Sequence, residues 1–320
     1  MKKYDVVIVG AGPSGINCGI ACQENGLSYV IIEKGLLVNS IYNFPVNMTF
    51  FSTSKKLEIG QVPFISHTDK PTRREALEYY RRIMEAYDLK IDFSTELIKI
   101  VSKKGVYELK TNKDEYLATN IILATGFYDS PRLLDVPGEQ LVKVSHYYDD
   151  VHKYIRKNVV VVGAANSACD VALECWQKGA NVTMIVRNET LYEKVKYWIL
   201  PNIENRIKEG SIKAYFSSTI TSISENAVEI DTPEGQVTIN NDYVLAMTGY
   251  KPDMDWFRSL GINIHEETGE PELNLDTLES NIPRVFMAGV IVSGLQTSKL
   301  FIENTRDHAE RIVKHIVNNK

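Results

Sequence analysis

Cysteine is scarce in this chain and poorly spaced for redox work: 320 residues contain only Cys18, Cys22, Cys169 and Cys175, and none of them forms a C-x-x-C pair. That leaves no pattern for a structural disulfide framework. Blocks of one charge sign are missing as well. The net charge of −5 is spread along the chain, so there is no footprint for nucleic acid or for an anionic membrane. No apolar run approaches the ~20 residues of a membrane span, and Met1-Lys2-Lys3 leads into a strand instead of a signal peptide. Metal-ligand spacing is also absent around His146 and His308, so no metal site is expected and both histidines are expected in partly buried structural positions. A cytoplasmic protein of two domains, with small molecules or other proteins as partners, is what these absences leave.

What is present begins at Tyr4. Val6 to Val9 form a short β-rich apolar segment, and Gly10, Gly12 and Gly15 break it in the pattern G-x-G-x-x-G as a helix opens at Pro13. Gly10 permits a tight turn, Gly12 lets the backbone approach a pyrophosphate, and Gly15 is expected to bring helix and strand together. Pro13 suits the first helical turn, where its missing N–H costs nothing. A second strand, Tyr29 to Ile32, delivers Glu33 at the distance needed to bind ribose hydroxyls. Downstream, Val38 to Phe64 has no clear period and reads as a long connecting region. Thr72 to Tyr87 reads as an amphipathic helix capped by Thr72 and Glu75, and the buried-looking strand Ile121 to Ala124 closes on Thr125-Gly126.

A second copy of the opening unit follows. Val159 to Val162 precede Gly163-Ala-Ala-Asn-Ser-Ala168, and a shift of 153 residues superposes Gly10 on Gly163, Gly12 on Ala165, Gly15 on Ala168 and Cys22 on Cys175. This copy also closes on a strand, Tyr243 to Met247, and Thr248-Gly249. The remaining strand, Arg284 to Ala288 with Gly289, and a helix from about Thr297 to Val317 are too short to fold alone. The predicted fold is therefore α/β, with two three-layer Rossmann-like nucleotide-binding domains, the second inserted into the first. The boundaries are 1–127 with 251–320 for the discontinuous domain and 128–250 for the inserted one.

The two loops differ where chemistry demands it. A carboxylate beside a ribose 2′-phosphate would repel it by about 4 kcal/mol per charge pair at ~4 Å and an effective dielectric near 20. Glu33 thus selects an unphosphorylated ribose, whereas Arg187, at the matching place in the second copy, offers a planar fork that suits phosphate. Lys194 and Lys196 are nearby, but solvated roles suit them better. FAD in the first domain and NADPH in the second is the pairing this contrast suggests.

These residues carry a family likeness. GAGPSG with Glu33, Ala124-Thr125-Gly126, the GxAxxA loop with Arg187, and Met287-Ala288-Gly289 together resemble the thioredoxin-reductase-like flavoproteins. The stretches Met48 to Phe64, Pro137 to Asp150, Lys196 to Phe216 and Thr297 to Asn304 resemble most closely the bacillithiol disulfide reductase family. The resemblance implies an FAD enzyme that uses NADPH to reduce a low-molecular-weight disulfide as a homodimer or higher homo-oligomer. It places FAD against Gly10, Gly12, Pro13, Ser14, Gly15, Glu33, Lys34, Thr125, Gly126, Gly289 and Thr297, and NADPH against Gly163, Ala165, Asn166, Ser167, Arg187, Thr248 and Gly249. One departure bears on the chemistry: the family has a cysteine beside the flavin where this chain has Ser14. A hydroxyl cannot form a mixed disulfide, so reduction of a bacillithiol-type disulfide is expected to be weak or absent; otherwise the reduced flavin acts on the substrate directly, or Cys18, one turn further along the helix, is the candidate replacement thiol. A ferredoxin-type NADPH reductase needs no such thiol. A flavin monooxygenase combines the same folds, but its F-x-G-x-x-x-H segment is absent, with Gln140 and Val142 at the Phe and Gly positions before His146.

Overall fold

The apolar run Val6 to Val9 is buried on both faces, as an internal strand of a parallel sheet requires. Its strand, Lys2–Val9, lies between Tyr29–Glu33 and Glu115–Leu123, parallel to both, with Val7 opposite Val30 on one side and Ile121 on the other. The computed structural model describes residues 2–103 and 105–320. These form two units, one of Met1–Tyr42, Ser52–Ser130 and Tyr250–Lys320, the other of Asn43–Phe51 and Pro131–Gly249.

In the first unit the sheet runs Ile91–Phe93, Tyr29–Glu33, Lys2–Val9, Glu115–Leu123, Val106–Thr111, Leu97–Lys103. The strand Glu115–Leu123 forks: Ala118 pairs antiparallel with Tyr107, while Ile121 to Leu123 pair parallel with Val285 to Met287. That last pairing is how the C-terminal tail rejoins the sheet. The helix Arg73–Tyr87 has the capping box expected of it, Thr72 Oγ1 accepting the Glu75 N–H at 3.3 Å and Glu75 Oε2 accepting the Thr72 N–H at 2.7 Å. The C-terminal helix is shorter than the sequence suggested, spanning Asp307–Asn318. Upstream, Asn304 accepts the Phe301 N–H and donates to the Lys299 carbonyl, and Thr305 Oγ1 donates to the Phe301 carbonyl. These side-chain bonds compete with helix and leave only the short turn Ile302–Asn304.

The second unit repeats the central motif. Its parallel sheet runs Lys213–Tyr215, Asn181–Ile185, Asn158–Val162, Tyr243–Ala246, Val144–Ser145, with the helix Asn166–Gln177 following the middle strand. The antiparallel strands Thr219–Ile223, Ala227–Thr232 and Gly235–Asn240 form a sheet of their own here. Part of the connecting region, Asn43–Phe51, belongs to this unit: Asn47 donates to Glu174 at 2.5 Å, and Phe51 stacks on Trp198 with ring centroids 6.1 Å apart. No described helix is long and apolar enough to cross a membrane.

Candidate functional site

At the end of the first strand the chain turns at Gly10, whose φ of +106° favours glycine and where a Cβ would stand 2.6 Å from the Ala124 carbonyl oxygen. A Cβ at Gly15 would collide with the Gly10 carbonyl, so Gly15 serves the turn itself. Close packing of helix on strand falls instead to Gly19, where a Cβ would come 2.8 Å from Ile31 Cδ1; the motif gave no sign of it. Gly12 is different. Its φ is −74° and nothing lies within 4 Å of where its Cβ would be, so the fold alone does not require glycine there. The missing side chain leaves open space at the N-terminus of the helix Pro13–Glu24, which carries no side-chain cap and no acid in its first turn. An uncapped helix start with room for a ligand suits an anionic group.

Glu33 is 7% exposed and binds this loop directly: Oε2 accepts the Ala11 N–H and Oε1 the Gly35 N–H, each at 2.7 Å. Burial pushes its pKa above the ordinary carboxylate value, against the opposing pull of those two amides. An ionised carboxylate offers about four lone-pair sites, so two amide donors leave places for hydroxyls. Lys34 turns away to Asp129, 3.0 Å distant. Thr125 and Gly126 follow the strand Glu115–Leu123, with Gly126 at φ +68°. Thr297 is half-buried in the irregular segment ahead of the C-terminal helix.

Ser14, half-buried in the first helical turn, lies against Gly289: a Cβ on Gly289 would come 2.5 Å from Ser14 Oγ and 2.9 Å from Ser14 Cβ. Gly289 has φ +83°, and its N–H donates to Nδ1 of buried His308 at 3.1 Å. No sequence spacing links these three residues. Cys18, the candidate replacement thiol, is fully buried, and burial pushes its thiol up to about 12. It lacks both the thiolate and the access that thiol–disulfide exchange requires, which removes it as a stand-in. Cys22, Cys169 and Cys175 are also free thiols in the core, their pKa values raised by desolvation.

The second cradle copies the first. Gly163 has φ +132°, and a Cβ there would stand 2.6 Å from the Met247 carbonyl oxygen, the counterpart of Gly10 against Ala124. Ala165 is an extended N-cap without a side-chain cap bond, and Ser167 is exposed in the first turn of the helix. Asn166 is partly committed, its Oδ1 accepting the Lys196 N–H at 2.8 Å. Lys196 is buried and paired with Asp170 at 2.7 Å, so it fixes its own loop to the helix and is removed from any phosphate-binding role. Arg187 is exposed, with no ion-pair partner among the described residues. Thr248 Oγ1 donates to the Arg132 carbonyl at 2.5 Å, and Gly249, at φ +87°, accepts the Arg132 N–H at 2.9 Å. His146 Nε2 lies 3.0 Å from Glu139.

Two glycine-cornered cradles on parallel sheets, one ending in a carboxylate and one in an arginine, define a two-domain Rossmann-like oxidoreductase. The chain belongs to the pyridine nucleotide-disulphide oxidoreductase family, whose pattern matches residues 7–289. It is similar to the bacilliredoxin reductase Bdr of Bacillus subtilis, with 41% identity over 99% of this chain and 98% of that one. Among solved structures it is similar to the bacillithiol disulfide reductases Bdr (YpdA) of Staphylococcus aureus, with a TM-score of 0.96, and of Bacillus cereus, with a TM-score of 0.97; each is 39% identical with full coverage of both chains.

Proposed function

We propose that the first unit holds FAD and the second NADPH, and that electrons pass to a low-molecular-weight thiol disulfide or a related acceptor, the enzyme working as a cytoplasmic homo-oligomer. The FAD-binding domain would then comprise 1–127 with 251–320, and the NADPH-binding domain 128–250. One observation carries the cofactor reading: matching cradles end in a buried, amide-bound Glu33 and an exposed Arg187 that has no ion-pair partner among the described residues. The open space beside Gly12 fits a pyrophosphate, and the lone-pair sites left on Glu33 fit ribose hydroxyls. When bound, the flavin supplies two-electron chemistry between the nicotinamide and an acceptor. The chain's own residues orient the two nucleotides: Gly10 and Gly163 turn the backbone, Glu33 rejects a 2′-phosphate, and Arg187 accepts one. The relatives, similar over their full length, support the disulfide acceptor.

Ser14 favours a second reading, an acceptor that needs no thiol relay, such as the iron–sulfur partner of a ferredoxin-type NADPH reductase. The same experiment separates the two. NADPH, mixed anaerobically with the flavin-loaded protein, should bleach the flavin, and the acceptor that restores its colour identifies the substrate class. Arg187→Ala should weaken NADPH by about 1.5–3 kcal/mol, the worth of a charge-assisted bond, while leaving NADH nearly unchanged. Equal losses for both nucleotides would show that Arg187 does not read the 2′-phosphate.

A further inference from the structure

We propose that His308 is a positioning residue of the flavin site, holding the Gly289 turn against Ser14 through an Nδ1 acceptor; this rests on the flavin reading of the first unit. A backbone N–H can only donate, so the 3.1 Å bond from Gly289 requires an unprotonated Nδ1 and places the ring proton on Nε2. At 5% exposure the imidazole is buried, and desolvation keeps it neutral, the only form that can accept there. Gly289 is thus gripped from two sides. His308 holds its amide, while Ser14 fills the space a side chain would need. Its positive φ makes the turn one that glycine adopts readily, so a fixed partner is needed to hold one conformation.

Ser14 belongs to the helical turn that opens on the Gly12 cradle, so Gly289 is one link between the C-terminal helix and the nucleotide loop. A second tie joins the same helices, Asn17 Nδ2 donating to the Arg306 carbonyl at 2.8 Å. Because its N–H is already engaged, Gly289 does not serve a ligand as a donor. Loss of the acceptor leaves a buried N–H unpaired, and relaxation of the turn moves the wall on which Ser14 rests.

The test compares His308→Leu, His308→Gln and His308→Asn with the unaltered protein. Asparagine carries an oxygen on the atom equivalent to Nδ1; leucine has no acceptor, and glutamine carries its oxygen one bond too far out. The readouts are the FAD dissociation constant, the visible absorption and circular dichroism of bound flavin, and the Tm of the apoprotein. Leucine and glutamine should each weaken FAD roughly tenfold and alter the flavin bands, with asparagine restoring both. Glutamine and asparagine are equally polar, so that pair decides the matter even if leucine prevents folding. Unchanged FAD affinity and spectra in the glutamine variant, or asparagine no better than glutamine, would overturn the inference whatever happens to Tm. Failure of the unaltered protein to take up FAD would instead overturn the flavin reading, and this inference with it.

Discussion

Gly289→Ala puts two separable costs on one atom. The backbone there has φ +83°, which L-residues with a side chain adopt at about 1–2 kcal/mol. The new methyl would also stand 2.5 Å from Ser14 Oγ and 2.9 Å from Ser14 Cβ, both inside van der Waals contact. Overpacking of that kind costs about 1–3 kcal/mol, so the expected destabilisation is roughly 2–5 kcal/mol. Urea unfolding of the apoprotein measures it, provided the denaturant slope is unchanged. A cycle with Ser14→Gly then divides the sum. Removing the Ser14 side chain abolishes the steric part and leaves the backbone part, so the two substitutions should show a favourable coupling of about 1–3 kcal/mol. A cost near zero for Gly289→Ala, or a cycle without coupling, would refute the packing of Ser14 on Gly289.

Cys18→Ala should destabilise by roughly 0.5–3 kcal/mol, as core substitutions do, without changing turnover; loss of activity in a well-folded variant would identify Cys18 as a working thiol after all. With Ser14 in place, turnover of a bacillithiol-type disulfide should stay below the ~1 s⁻¹ at which typical enzyme rates begin, and Ser14→Cys should retain flavin; faster turnover in the unaltered protein would count against the need for a thiol. The raised pKa of Glu33 gives a pH signature. Its contribution to apoprotein stability is fully present below the ordinary carboxylate value near 4.5 and is lost as pH rises through the higher folded-state value. The stability difference between the unaltered protein and Glu33→Gln should therefore shift against the unaltered protein as pH rises above about 4.5, and a shift the other way would show that the two amide bonds outweigh burial.

What could be read from sequence follows the range of the interactions. The Gly10 turn, the Thr72 cap and Glu33 are set within a few tens of residues, and their patterns were visible. The start of the last helix was not, because Leu300, Phe301 and Ile302 extend its apolar pattern while Asn304 and Thr305 bond the backbone in a non-helical form. Gly19 escaped notice because its need arises from Ile31 on another element. Lys196 is paired with Asp170, 26 residues away, and the His308 ring nitrogen accepts from Gly289, 19 residues away. Contacts of this kind depend on tertiary folding and leave no local spacing to recognise.

The two strand-end residues also differ in how freely they can change. Glu33 is buried and bonded to Ala11 and Gly35, so replacing it disturbs the loop it helps to shape. Arg187 projects into solvent without an ion-pair partner among the described residues, and its replacement leaves the core alone. On the proposed cofactor reading, one nucleotide preference is locked into the architecture and the other is open to drift. Laboratory evolution toward a different reduced nicotinamide should find its first successful variants at position 187, and few or none at position 33.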